Sequence, residues 1–77
     1  MSQTILIIGA GKSATVLIQY LQQKAVENDW YIVLADGDEA TAKNKWNNAP
    51  NGTALGIDIK NDLNRQNLVQ KADIVVS

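Results

Sequence analysis

The sequence predicts an α/β fold built on a parallel sheet, and three observations carry that expectation. Four short apolar runs, TILII, WYIVLA, TALGI and DIVV, recur along the chain. They are rich in β-branched residues, as strands buried on both faces are. Longer segments with helical spacing or helix-starting residues separate them. Strands alternating with helices in this way join in parallel through right-handed crossovers.

Each element can be justified in order. Residues 4–8 (TILII) are almost wholly apolar, which suits a central strand. Gly9-Ala10-Gly11 ends that run. Residues 12–27 contain neither proline nor glycine, and Ala14, Leu17, Ile18, Leu21 and Ala25 form an apolar stripe at helical spacing. Asn28-Asp29 is a connector. Residues 30–35 (WYIVLA) form the second strand. Asp38 is suited to cap a short helix reaching about Trp46. Asn44, Asn47 and Asn48 weaken that helix, and the segment 47–52 ends it as a turn. Residues 53–57 (TALGI) form the third strand, with Gly56 a weak point or a point of close approach. Asn61 or Asp62 starts a third helix to which Leu63, Leu68 and Val69 bring apolar surface. Residues 73–76 (DIVV) complete the series, with Asp73 marking the strand entry.

Composition narrows the function classes. Hydrophobic residues make up 45% of the 77 and charged residues 19%, with a net charge of −1, which describes an ordinary folded segment. Mixed charge of this kind predicts no nucleic-acid or membrane-surface partner. Cysteine and histidine are absent, so disulfides, Cys/His metal sites and imidazole catalysis are excluded within this stretch. No metal ligands and no paired catalytic acids are expected. The first residues lack a signal-like pattern, so a cytoplasmic location is the default expectation.

The chemistry lies at the first strand's end. Gly9, Gly11 and Ala14 have the spacing G-x-G-x-x-A, following an apolar strand and opening a long helix. That context is what a pyrophosphate-binding turn requires. Gly9 allows the tight turn, Gly11 allows close approach of phosphate, and Ala14 allows close helix packing. Backbone N–H groups at the helix start then meet phosphate oxygens. Ser13 can add a hydroxyl. Lys12 is poorly placed beside a helix N-terminus unless a phosphate is bound. The plainer alternative is a simple loop. A P-loop is excluded, because the position five before Gly11 is Leu6. The expected fold is therefore Rossmann-like, βαβαβαβ, about one mononucleotide-binding half plus a fourth strand.

Asp36 follows Gly11 by 25 residues and ends the second strand. A carboxylate there can accept hydrogen bonds from the adenosine ribose, with Gly37 beside it in the turn. A 2′-phosphate would meet its charge, so the sequence favours NAD and leaves NADP open. Lys43 lies too far along to offset that charge. The plainer role for Asp36 is a turn with Gly37. Asp58 and Ile59 follow the third strand, at the adenine edge, where Asp58 has a rival use as a helix cap. Ser77 follows the fourth strand, towards the nicotinamide end. Trp30, Tyr31, Tyr20 and Trp46 are expected to pack against the sheet, not to stack on bases, although Trp46 could be partly exposed.

The strings ILIIGAGKSATVLIQYL, VLAD at 33–36, GIDIKN at 56–61 and ADIVVS at 72–77 resemble the start of a saccharopine dehydrogenase or saccharopine reductase-like protein. The resemblance spans nearly the whole chain. It implies an NAD(P)-binding Rossmann domain, with a second domain that helps bind substrate, and hydride transfer on amino-acid CH–NH bonds. It places the phosphate loop on Gly9, Gly11, Lys12, Ser13 and Ala14, ribose recognition on Asp36, and the adenine edge on Asp58 and Ile59. Lys12 departs from the bulky or aliphatic residue common in the family, which bears on cofactor choice.

The sequence thus predicts that residues 1–77 are the N-terminal part of a dinucleotide-binding domain, with the substrate domain absent. Catalytic residues would lie beyond Ser77, so this piece alone should show no turnover. An isolated half-sheet also exposes an edge through which it could homodimerise. Two other functions share the same fingerprint: a nucleotide-sensing regulatory module of a potassium-uptake system, and a non-catalytic α/β assembly domain.

Overall fold

A computed structural model describes residues 3–9, 15–57 and 62–76. The elements are β1 (Thr4–Ile8), α1 (Thr15–Asn28), β2 (Tyr31–Asp36), α2 (Glu39–Trp46), β3 (Gly52–Gly56), α3 (Asp62–Lys71) and β4 (Ile74–Val76). Every predicted strand and helix is present, with strand ends shifted by at most one residue and α1 described from Thr15 onward. Trp30 lies before β2 because its N–H caps α1, donating to the Ala25 carbonyl at 2.9 Å. Asn51 Nδ2 donates to the same carbonyl at 3.1 Å. Between them they satisfy an acceptor that the end of α1 would otherwise leave open.

The sheet is parallel in the order β3-β2-β1-β4. Ile5 and Ile7 share one face with Ile32 and Leu34, beneath Ile18 and Ala25 of α1 and Ala42 and Trp46 of α2. Leu6 and Ala35 point to the opposite face with Ile57, against which Leu68 and Ala72 pack. The central strands β1 and β2 are therefore apolar on both sides, which explains their unbroken runs. The chain runs outward from β1 to β3 with α1 and α2 on one face. It then returns to β4 with α3 on the other face. Reversing direction and face together preserves the hand of the crossover.

The aromatic residues divide. Trp46 is 4% exposed, and its Nε1 donates to the Ala49 carbonyl at 3.0 Å. A Cβ on Gly52 would strike the Trp46 ring and the Ile32 carbonyl oxygen, so β3 can pass under the indole only as glycine. Trp30 packs partly against the same core. Tyr20 and Tyr31 do not: they are 55% and 44% exposed. Tyr20 lies on the outer side of α1 with the Lys24 ammonium 5.7 Å from its ring centroid. Of the three apolar residues expected to serve α3, Leu63 and Val69 are exposed, and Leu68 packs against the sheet.

Asp73 does more than mark a strand entry. Its carboxylate accepts the Thr4 N–H at 2.8 Å, and its own N–H donates to the Thr4 carbonyl at 2.8 Å. This reciprocal pair locks the start of β4 to the start of β1. No helix among the described residues is long and apolar enough to cross a membrane.

Candidate dinucleotide-binding site

The strand order creates a switch point between β1 and β4, where successive connections leave the sheet in opposite directions. In open α/β sheets the crevice beyond the strand ends at such a point takes the ligand. Gly9 stands there, directly after β1. Its φ of +88° lies in a region that L side chains rarely adopt. Among the described residues a Cβ on Gly9 would meet nothing within 4 Å, so it is conformation, not crowding, that calls for glycine there. The Gly9 N–H donates to the Ala35 carbonyl at 2.9 Å, which ties the turn to the end of β2. A glycine with positive φ directly after β1 fits the first glycine of a pyrophosphate-binding loop.

One residue past Ala35, Asp36 ends β2 and is half-buried. Its backbone carbonyl accepts the Ile57 N–H at 2.9 Å, and it lies in register with Gly56. Its carboxylate Oδ1 accepts the Asp38 N–H at 2.8 Å. Asp38 is the N-cap of α2: its Oδ1 accepts from Ala40 N–H at 3.0 Å and Thr41 N–H at 3.4 Å. The sequence predicted this cap, but not that the capping residue also orients the Asp36 carboxylate. Gly37 is the exposed residue between them.

Gly56 is a point of close approach. A Cβ there would lie 2.8 Å from the Glu39 Cβ and 3.3 Å from its Cα. The first turn of α2 thus rests on the end of β3, which fixes Asp38 and through it Asp36. Two lysines extend the arrangement. Lys43 Nζ pairs with Glu39 Oε1 at 2.8 Å on the solvent side of α2. Lys45 Nζ donates to Thr15 Oγ1 at 3.0 Å, bringing a positive charge to the start of α1. The i,i+4 spacing announces the first pair; no local signal announces the second, which joins residues 30 apart.

Among the residues expected in the site, Gly9, Asp36 and Gly37 come together at the ends of the two central strands. Ala10, Gly11, Lys12, Ser13, Ala14, Asp58, Ile59 and Ser77 lie outside the described residues.

The family model described as "Saccharopine dehydrogenase NADP binding domain" matches residues 5–77. Neither the curated proteins nor the solved structures include a match to this chain. The positive-φ glycine after β1, the acidic residue ending β2, the half-dinucleotide-binding topology and this match agree. The chain belongs to the saccharopine dehydrogenase NADP-binding domain family and is an NAD(P)-binding domain of an oxidoreductase family.

Proposed function

We propose that this domain prefers NAD, and that it serves hydride transfer on an amino-acid CH–NH bond in a longer saccharopine dehydrogenase-like protein. The observation that carries the cofactor preference is the Asp36 carboxylate, held at the end of β2 by the Asp38 N–H at 2.8 Å. An oriented carboxylate accepts well from two neighbouring ribose hydroxyls, whereas a 2′-phosphate would meet a like charge. The family description carries NADP. The surroundings of Asp36 argue for the form without the extra phosphate.

In this proposal residues 9–14 hold the pyrophosphate through backbone N–H groups, with Ser13 adding a hydroxyl. Asp58 and Ile59 border the adenine, and Ser77 lies towards the nicotinamide. The bound cofactor supplies the hydride chemistry. The residues of this chain bind and orient it, and substrate contacts come from further sequence. The sheet supports continuation past β4. Ile74 and Val75, which alternate between the two faces of that edge strand, are 44% and 42% exposed. Apolar residues on both faces characterise an interior parallel strand, not an edge.

Titration of the chain with NADH and NADPH, repeated with Asp36→Ala, tests the cofactor assignment. NADH should bind tighter to the parent, and the substitution should weaken NADH about tenfold, from the loss of charged hydrogen bonds worth roughly 1.5 kcal/mol. Equal affinities that the substitution leaves unchanged would sink the assignment.

A further inference from the structure

We propose that Asn51-Gly52 is a deamidation site, held unreactive by the hydrogen bond from Asn51 to the end of α1, and that reaction there unhooks α1 from β3. The site stands at the start of β3, at the opposite end of the parallel sheet from the crevice beyond β1. It is independent of the cofactor assignment.

Asn51 is the one asparagine of the chain that glycine follows. Glycine has no Cβ to hinder the approach of its own nitrogen to the preceding side chain. The Gly52 nitrogen attacks the Asn51 Cγ. A C–N bond forms, the Cγ–Nδ2 bond breaks, and the Gly52 N–H proton leaves with Nδ2 as ammonia. Water then opens the cyclic imide at either carbonyl, leaving an aspartate or an isoaspartate at position 51.

The sheet leaves the nucleophile available. The Ile32 N–H donates to the Asn51 carbonyl at 2.9 Å, and Ile32 lies in register with Gly52. In a parallel ladder Ile32 therefore bonds to the residues on either side of Gly52, whose own N–H faces away from β2. β3 is the end strand of the sheet, and a cavity of about 390 Å³ lined by Trp46, Ala49, Gly52 and Thr53 opens beside it and admits water.

The electrophile is what the fold restrains. Asn51 Nδ2 donates to the Ala25 carbonyl at 3.1 Å, which commits the amide to α1. Attack requires that bond to open first. The product cannot restore it. A carboxylate has no hydrogen to donate, and it would set an oxygen against the Ala25 carbonyl near the C-terminal end of α1, where the helix dipole disfavours an anion. An isoaspartate also lengthens the backbone at the strand entry. Gly52 fits there so closely beneath Trp46 and the Ile32 carbonyl that even a Cβ would clash.

The test incubates the 77-residue chain at mildly alkaline pH, native and in guanidinium chloride, and locates deamidation by peptide mass spectrometry. Reaction at Asn51 should be at least about tenfold slower in the native chain, because it waits on local opening. The deamidated fraction, separated by its extra negative charge, should melt about 4–8 °C below the parent. The Trp30 N–H, which donates to the same Ala25 carbonyl at 2.9 Å, should then exchange faster with solvent. Asn51→Asp should reproduce the lower melt and the faster exchange. Asn51→Gly suits the φ of +61° and removes the amide without adding charge. It should also speed Trp30 exchange, and it serves if the aspartate variant does not fold. Equal reaction rates in the native and denatured chain, or a deamidated fraction with the parent's melt and Trp30 exchange, overturns the proposal.

Discussion

Gly56→Ala sets two opposing effects against each other, and the geometry decides between them. Alanine restricts the unfolded chain, which stabilises by about 0.4–1 kcal/mol wherever the native backbone accepts it. Gly56 is not among the residues with positive φ, so the backbone itself raises no objection. The obstacle is steric. The new methyl would lie 2.8 Å from the Glu39 Cβ and 3.3 Å from its Cα. Carbon atoms rest comfortably at about 3.5–4.0 Å, so the start of α2 must retreat by roughly 1 Å. These are not the far atoms of a flexible side chain, and swinging the carboxylate away does not clear them. Overpacking of this kind costs about 1–3 kcal/mol. The clash therefore outweighs the entropic gain, leaving a net loss of about 1–2 kcal/mol. For a domain of this size that lowers Tm by roughly 4–15 °C. The displaced turn also carries Asp38, whose N–H orients Asp36. NADH affinity should therefore fall about threefold or more, since binding sites tolerate little misplacement of their supporting groups. Circular dichroism melts and NADH titration of the variant check both effects. A Tm equal to or above the parent's, with unchanged NADH affinity, would refute the claim that β3 positions the ribose carboxylate through α2.

Two further substitutions separate conformation from packing. Gly9→Ala introduces no steric contact among the described residues, yet it places a side chain at φ +88° and should cost about 1–2 kcal/mol, read as a lower Tm with weaker NADH and NADPH binding alike. Loss of only one cofactor would contradict its placement at the shared pyrophosphate. Trp46→Ala empties the space between α2, Gly52 and the sheet and should cost about 3–5 kcal/mol. A chain of this length has only about 4–12 kcal/mol in total, so its cooperative melt should be largely lost at 37 °C. A melt within a few degrees of the parent's would show that the indole does not anchor the core.

The alternation of strands and helices was legible in the sequence because each signal is local. TILII and WYIVLA declare strands buried on both faces, and Asp38 declares a helix start within a few residues of itself. The glycine spacing after TILII was equally readable, and Asp36 could be placed at a strand end by counting. Relations between distant residues were not readable. Nothing in the spacing of α1 says that Leu17 of the apolar stripe is exposed while Ile18 beside it is fully buried. Leu63 and Leu68 look alike as apolar residues of one helix, yet only Leu68 reaches the sheet.

The sequence by itself determined the kinds of element, their order, the conformational break at Gly9 and the charge at Asp36. Each of these depends on residue type and near neighbours. Only the tertiary structure decided the strand order β3-β2-β1-β4, and with it the crevice at the end of β1. It also decided that Asp73 would lock β4 to β1 across 69 positions, and that Gly56 would seat the turn that orients Asp36. The physical reason is common to all three. Periodicity records which face of an element is buried, but the partner on that face is chosen by packing among segments far apart in the chain.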